Sequence, residues 1–321
     1  MAMHPVLITG AAGFIGSHLT DRLLATGHRV VGIDNLCDFY DPATKRANIR
    51  QAMAHEHFTL IEADIRDRSA MTKAFAKYPP AIVVHLAAMA GVRPSIERPD
   101  YYTEVNLNGT VNLLDAAVES GATKFIFASS SSVYGNNEKA PFAESDRVDH
   151  PISPYAATKK AGELICHSYH HIHSLPMTCL RFFTVFGPRQ RPDLAIGKFL
   201  RLISDGQIIP MFGDGSSSRD YTYVDDIVDG IVAAIDRCSG YHIYNLGGNE
   251  PVSLTDMIAT IEKVIGKEAR IDPQPMQPGD VNRTWADLSL SQAELGYSPQ
   301  VSLLEGIARQ WDWMQHTVSA E

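Results

Sequence analysis

Cysteine is scarce in this chain. Its 321 residues hold four, Cys37, Cys166, Cys179 and Cys238, with no Cys-x-x-Cys spacing, which argues against a zinc knuckle or a redox pair and leaves reduced, buried thiols. Long hydrophobic runs are also missing. No stretch stays apolar for the roughly 18 residues of a membrane span. Met1-Ala2-Met3-His4-Pro5 leads straight into an apolar strand with no charged n-region, long apolar core or small-residue cleavage site, so a soluble, cytoplasmic protein is expected. Positive charge is in deficit, with 28 Lys and Arg against 37 Asp and Glu and a formal net charge of −9. That balance disfavours nonspecific attraction to nucleic acid or anionic membrane, and an anionic ligand would need locally placed arginines. Histidine clusters only at His167, His170, His171 and His173. The first three have helical i, i+3, i+4 spacing, which suits a metal, but surface histidines at a helix end are the plainer reading, and no metal is expected.

Alternation is what the sequence has instead. Apolar, β-branched runs at 6–8, 30–33, 58–61, 82–85, 125–128 and 178–182 lie between longer stretches of helical periodicity. Nearly continuous apolar strands need cover on both faces, so the expected fold is α/β, a doubly wound parallel sheet of the Rossmann type. After about residue 185 the rhythm breaks at Gly187-Pro188, Arg191-Pro192, Gly213-Asp214-Gly215 and Asp272-Pro273-Gln274-Pro275. We therefore expect a main domain over 1–185 and a smaller mixed α/β lobe over 186–321, with about 221–248 returning to the main domain. Helices are expected at 225–236 and 254–265, and a return strand at 241–246. In a terminal helix at 303–315, Trp311 and Trp313 cannot share a face, so one is expected to be exposed or at a contact.

The first strand runs into Gly10-Ala-Ala-Gly13-Phe-Ile-Gly16 and then into a helical stretch. Glycines there permit positive φ and let backbone N–H groups approach a pyrophosphate at the helix N-terminus. The G-x-x-G-x-x-G spacing is one residue longer than the commonest fingerprint, and alone it fits ordinary turns. The second strand ends at Asp34, near the ~20-residue distance of an acid that bonds the adenosine ribose. Asp34, followed by Asn35-Leu36-Cys37 without arginine, favours NAD over NADP. Asp64-Ile65 and Leu86-Ala87-Ala88 follow the third and fourth strands, at the carboxyl ends of strands where such folds bind ligands. Asp64 also reads as a helix N-cap.

Phe125-Ile-Phe-Ala-Ser129-Ser130-Ser131-Ser132-Val133-Tyr134-Gly135 is followed by Ser153-Pro154-Tyr155-Ala-Ala-Thr-Lys159. Tyr155 and Lys159 share a helical face, so the ammonium can stabilise a phenolate, a base for a hydroxyl, and Ser130 can bond the same oxygen. In isolation such a pair reads as a surface pair. In this order and after these glycines, the set resembles the extended short-chain dehydrogenase/reductase family over about 5–313. The resemblance implies Tyr155 as acid/base, Lys159 as the residue that lowers its pKa and holds the nicotinamide ribose, and Ser130 as hydroxyl aligner. Cofactor contacts from Phe14, Ile15, Ile65, Asn106 and Phe182 come with it. It also implies a homodimer through a four-helix bundle built from the helices after Tyr101 and after Pro154.

Family members that dehydrate or decarboxylate sugar nucleotides carry acids where this chain has Ser131 and Ser132, so the sequence resembles the 4-epimerases. The resemblance gives Arg219 to a phosphate and Asp280 to the uridine ribose. A salt bridge from Arg219 to Asp220 or Asp214, and a turn brace at Asp280, are the plainer readings. Arg181-Phe-Phe-Thr184-Val-Phe-Gly-Pro-Arg189-Gln-Arg191 and Gly91-Val92-Arg93 are similar to epimerases of UDP-glucuronate, whose carboxylate Thr184 with Arg191 or Arg93 would bind. Small Thr284, where galactose-type relatives have tyrosine, keeps UDP-glucose or UDP-N-acetylglucosamine open as substrate. A nucleotide-sugar decarboxylase or dehydratase is a second class, and a noncatalytic NAD-binding scaffold a third.

Overall fold

The apolar runs form strands where the alternation places them. The computed structural model describes residues 4–276 and 281–318. In chain order the strands are β1 (Val6–Thr9), β2 (Val30–Asp34), β3 (Phe58–Glu62), β4 (Ile82–His85), β5 (Lys124–Ser130), β6 (Met177–Phe182), β7 (Thr184–Phe186), β8 (Ile208–Phe212), β9 (Ser218–Tyr223), β10 (Tyr241–Leu246), β11 (Pro251–Ser253) and β12 (Arg270–Gln274). A seven-stranded parallel sheet has the order β10-β6-β5-β4-β1-β2-β3. Parallel neighbours need crossovers, which the helices Phe14–Ala25, Arg68–Lys77, Gly109–Ser120 and Pro154–His173 supply. The sheet core is closed by buried Leu7, Ile33, Val83, Phe125, Phe127, Met71, Leu113 and Leu114.

Local signals fix the helices that matter. Ser153 accepts from the Ala156 N–H at 3.1 Å and Pro154 occupies the first turn, so the helix of Tyr155 and Lys159 starts at a defined point. That helix lies so close to β5 that a Cβ on Gly162 would overlap the Phe127 ring. Asp67, not Asp64, caps the helix Arg68–Lys77, accepting from the Ala70 N–H at 3.0 Å.

The chain divides into two units. The first comprises the chain up to Gly135 with Arg147–Arg181 and Val228–Tyr244; the second comprises Asn136–Asp146, Phe182–Ile227 and the chain from Asn245 on. The second unit contains the sheet β11-β9-β7 and the parallel pair β12-β8. The linear bounds at 185 and 186 leave 136–146 in the main domain, whereas here it joins the second unit. The Asn245 amide donates to the Phe142 carbonyl at 2.8 Å and the Asp287 carbonyl at 3.2 Å, and Phe142 bridges Ala286. Such cross-links carry no local sequence signal. Helices fall at Val224–Arg237, Leu254–Ile265 and Leu303–Val318. Trp311 and Trp313 are both half-buried. Among the described residues no helix is long and apolar enough to cross a membrane.

Candidate active site

The glycine turn is shaped by backbone needs. Gly10 has φ +71°, and a Cβ there would come within 2.9 Å of the Ala87 N, while a Cβ on Gly16 would overlap the Gly10 carbonyl oxygen. The helix Phe14–Ala25 has no side-chain cap at Gly13 and no acid in its first turn, so no side chain of its own first turn offsets the positive end of its dipole. Such an N-terminus, in reach of backbone donors from Phe14, Ile15 and Gly16, fits a pyrophosphate. Asp34 is buried, its two carboxylate oxygens accepting from the Ala12 N–H at 3.0 Å and the Leu36 N–H at 2.8 Å. Lone pairs remain on both oxygens for a ribose hydroxyl. Asn48, which the sequence did not single out, donates to the Ala12 carbonyl at 3.1 Å and braces the turn.

The other expected cofactor residues lie at or just after the carboxyl ends of strands, except Asn106, which is in the helical stretch Glu104–Asn108. Asn35 donates to Asp64 at 3.0 Å, and Arg66 pairs with the same carboxylate at 2.9 Å. Burial pushes the Asp64 carboxyl up, but hydrogen bonds from Arg66 and Asn35 hold it below the usual range. Ile65 is buried beside Gly109, where a Cβ would meet its side chain. After β4, the Leu86 N–H bonds the Thr9 carbonyl and the Ala87 N–H the Thr9 hydroxyl, each at 3.2 Å; Ala88 continues that loop. Asn106 is buried with its amide on Met89 N at 2.8 Å, Met89 O at 3.0 Å and the Thr158 hydroxyl at 3.0 Å, so it pins the loop after β4 to the helix of Tyr155. Phe182, the last residue of β6, is buried.

Lys159 is buried, its Nζ donating to the Ala128 carbonyl at 2.7 Å and lying 5.9 Å from the centre of the Tyr155 ring. Burial lowers its pKa to about 8. Tyr155 packs edge-on to Tyr102. Ser130 ends β5 and caps the turn Ser131–Tyr134, its Oγ accepting from the Ser132 N–H at 3.2 Å and the Ser132 hydroxyl at 3.0 Å. Sequence reasoning missed Glu163. Its position, eight residues after Tyr155 and four after Lys159 on one helical face, was the available signal.

In the second unit Thr184 starts β7 and pairs with Tyr221 of β9. Arg219 lies on β9, half-buried, donating to the Ser218 carbonyl at 2.9 Å. The neighbouring acids have other partners. Asp220 accepts from the Ala286 N–H at 3.0 Å and from the Gly248 N–H, and Asp214 accepts from Ser216 at 2.9 Å and 2.5 Å. Thr284 is buried and accepts from the Asp220 N–H at 3.1 Å. Arg191 is paired with Asp193 through two bonds of 3.0 and 2.8 Å. In the first unit, Arg93 is exposed. Asp280 lies outside the described residues. His167 and His170 pack on the Tyr241 ring, and among the described residues no three His, Cys, Asp or Glu are grouped to hold a metal.

The family model described as GDP-mannose 4,6 dehydratase matches residues 7–310. A Rhizobium meliloti protein named as a probable UDP-glucuronate 4-epimerase is 42% identical over 326 residues, covering 96% of each chain. The crystal structure of a Bacillus cereus UDP-glucuronic acid 4-epimerase with UDP-glucuronic acid and NAD superposes with a TM-score of 0.92 at 38% identity, covering 98% of this chain and 99% of that one. A Thermotoga maritima UDP-glucose 4-epimerase with UDP-glucose gives 0.91 at 31% identity, covering 98% and 99%. Matches that run the length of the fold and take in both units leave one assignment: the chain belongs to the GDP-mannose 4,6 dehydratase family, within the extended short-chain dehydrogenases/reductases.

Proposed function

We propose that this chain is an NAD-dependent 4-epimerase of a UDP-sugar, interconverting UDP-glucuronate and UDP-galacturonate. One observation carries the choice of reaction within a family named for a dehydratase. The turn that follows the serine strand offers hydroxyls at Ser131 and Ser132, and the carboxylate hydrogen-bonded to that strand, Glu163, has both oxygens engaged by Arg181 and Ser129. Removing water from the sugar needs an additional acid and base, whereas epimerisation needs one reversible oxidation. NAD, when bound, supplies the hydride acceptor and donor for C4. Tyr155 takes the C4 hydroxyl proton and returns it, the Lys159 ammonium favours the phenolate, and Ser130 orients the hydroxyl. Gly10, Gly13, Gly16 and Asp34 hold the cofactor.

Arg219 and Asp280 are proposed for the nucleotide end, Thr284 for the room in the sugar pocket, and Thr184 with Arg191 or Arg93 for the uronate carboxylate. The relatives named for UDP-glucuronate support that substrate. Arg191 would exchange Asp193 for the substrate carboxylate, a small cost because half-exposed ion pairs contribute about 0–1 kcal/mol. A homodimer through the helix Pro154–His173 is supported by Leu164 and Ile172, 58% and 69% exposed on it. Four free thiols suit a reducing compartment, which we take to be the cytoplasm.

The test offers the purified protein UDP-glucuronate, UDP-glucose and UDP-N-acetylglucosamine without added NAD and follows the sugar by NMR. The galacto isomer of the uronate is the expected product. Carbon dioxide with a pentose nucleotide would replace the epimerase by a decarboxylase, and turnover of only the neutral sugars would move the substrate. Tyr155→Phe should abolish turnover while NAD stays bound.

A further inference from the structure

Behind the serine strand lies a buried charge pair that the proposed chemistry does not use. Glu163 and Arg181 are 0% and 1% exposed. The Glu163 carboxylate accepts from the Ser129 hydroxyl at 2.7 Å, from Arg181 Nε at 2.8 Å and Nη2 at 2.9 Å, and from Lys160 Nζ at 3.2 Å. Arg181 continues the network, its Nη1 donating to the Tyr134 hydroxyl at 2.9 Å with the guanidinium 4.8 Å from that ring's centre. Tyr241 of β10 donates to the Glu163 carbonyl at 2.8 Å. The charged and titratable neighbours thus come from the same helix, from β6, from the serine turn and from β10.

We propose that the Glu163–Arg181 pair is a positioning device for Ser130, Tyr155 and Lys159. It fixes the register of the helix Pro154–His173 against the end of β5. It thereby sets how Ser130 and the Lys159 ammonium meet the Tyr155 phenol. The pair holds both ends of the turn Ser131–Tyr134, one through Ser129, the residue before Ser130, and the other through the Tyr134 hydroxyl. It holds the helix too, because Glu163 stands one turn beyond Lys159 and two beyond Tyr155.

Cohesion alone does not account for ions here. Burying each costs several kcal/mol, and apolar residues of similar volume are often as stable or more so. What the ions add is direction, since a planar fork on a carboxylate admits one geometry where apolar contacts tolerate sliding. Burial pushes the Glu163 carboxyl up, yet Arg181 overcomes this and keeps it below the usual range, so the pair stays ionised.

The inference rests on the proposed role of Tyr155, and its test separates the two. Three proteins are compared: wild type, the apolar double variant Glu163→Leu with Arg181→Met, and Ser129→Ala, which removes one hydroxyl and spares the ion pair. Each is also made with Tyr155→Phe, so that ultraviolet difference titration isolates ionisation of Tyr155. The double variant should melt within a few degrees of wild type, with kcat down about 10- to 100-fold and KM within about threefold. Its Tyr155 should titrate about one pH unit higher. Ser129→Ala should move both readouts the same way by less. Wild-type titration of Tyr155 in both variants overturns the inference, whatever kcat does. If the double variant does not fold, Ser129→Ala decides by the same criterion. If wild type turns over no UDP-sugar, the proposed function fails while the titration still decides the positioning role.

Discussion

Lys159 is a buried ammonium with a pKa lowered to about 8, and in the proposed mechanism this sets a limit on activity at alkaline pH. Below that pH the charge is present to favour a Tyr155 phenolate; as pH rises through it the proton leaves and the support is lost. The kcat profile should therefore fall on its alkaline side near pH 8, and Lys159→Met should lower kcat at least tenfold and erase that limb. A limb unchanged in the variant would assign it to another group. Arg191 gives a second prediction. Arg191→Ala should raise KM for UDP-glucuronate about tenfold and leave any turnover of UDP-glucose within twofold, because one charge-assisted bidentate contact is worth about 1.5–3 kcal/mol. Equal effects on both substrates would remove Arg191 from uronate recognition. These residues are legible in the sequence because they sit in short motifs. Glu163 was not, since its partner Arg181 lies 18 positions away on the strand β6 and only the fold brings them to 2.8 Å.

The strand, glycine turn and helix at the start of the chain were readable at the scale of elements, because each glycine answers a local backbone requirement. Gly16→Ala would place a methyl group on the Gly10 carbonyl. Overpacking of this kind costs about 1–3 kcal/mol, so the variant should melt several degrees lower and lose NAD during purification, read by the absorbance of the released cofactor. Retention of wild-type NAD content would show that the turn can open without consequence. The long helices and the parallel strands followed equally well from periodicity. The segment 136–146 did not. It has no regular element of its own, and what draws it into the second unit is the Asn245 amide, about a hundred residues downstream. Asp64 shows the same limit, because only the geometry reveals that Asp67 takes the cap and Asp64 takes Arg66 and Asn35.

For the molecule as a whole, the exposed Leu164 and Ile172 on one helix lead to a prediction about assembly. Leu164→Asp combined with Ile172→Asp should halve the mass measured by light scattering, because paired carboxylates cannot be buried in an apolar interface. A wild-type mass in that variant would place the contact elsewhere. The order of the large sheet carries a different consequence, for synthesis. Its strands β1 to β6 have all been synthesised by residue 182, yet the edge strand β10, which pairs with β6, begins only at Tyr241. While about sixty further residues are being made, β6 presents a bare edge, and an unpaired edge templates association between neighbouring chains. The newborn chain is thus exposed to a hazard of aggregation late in translation, until its last main-sheet strand arrives.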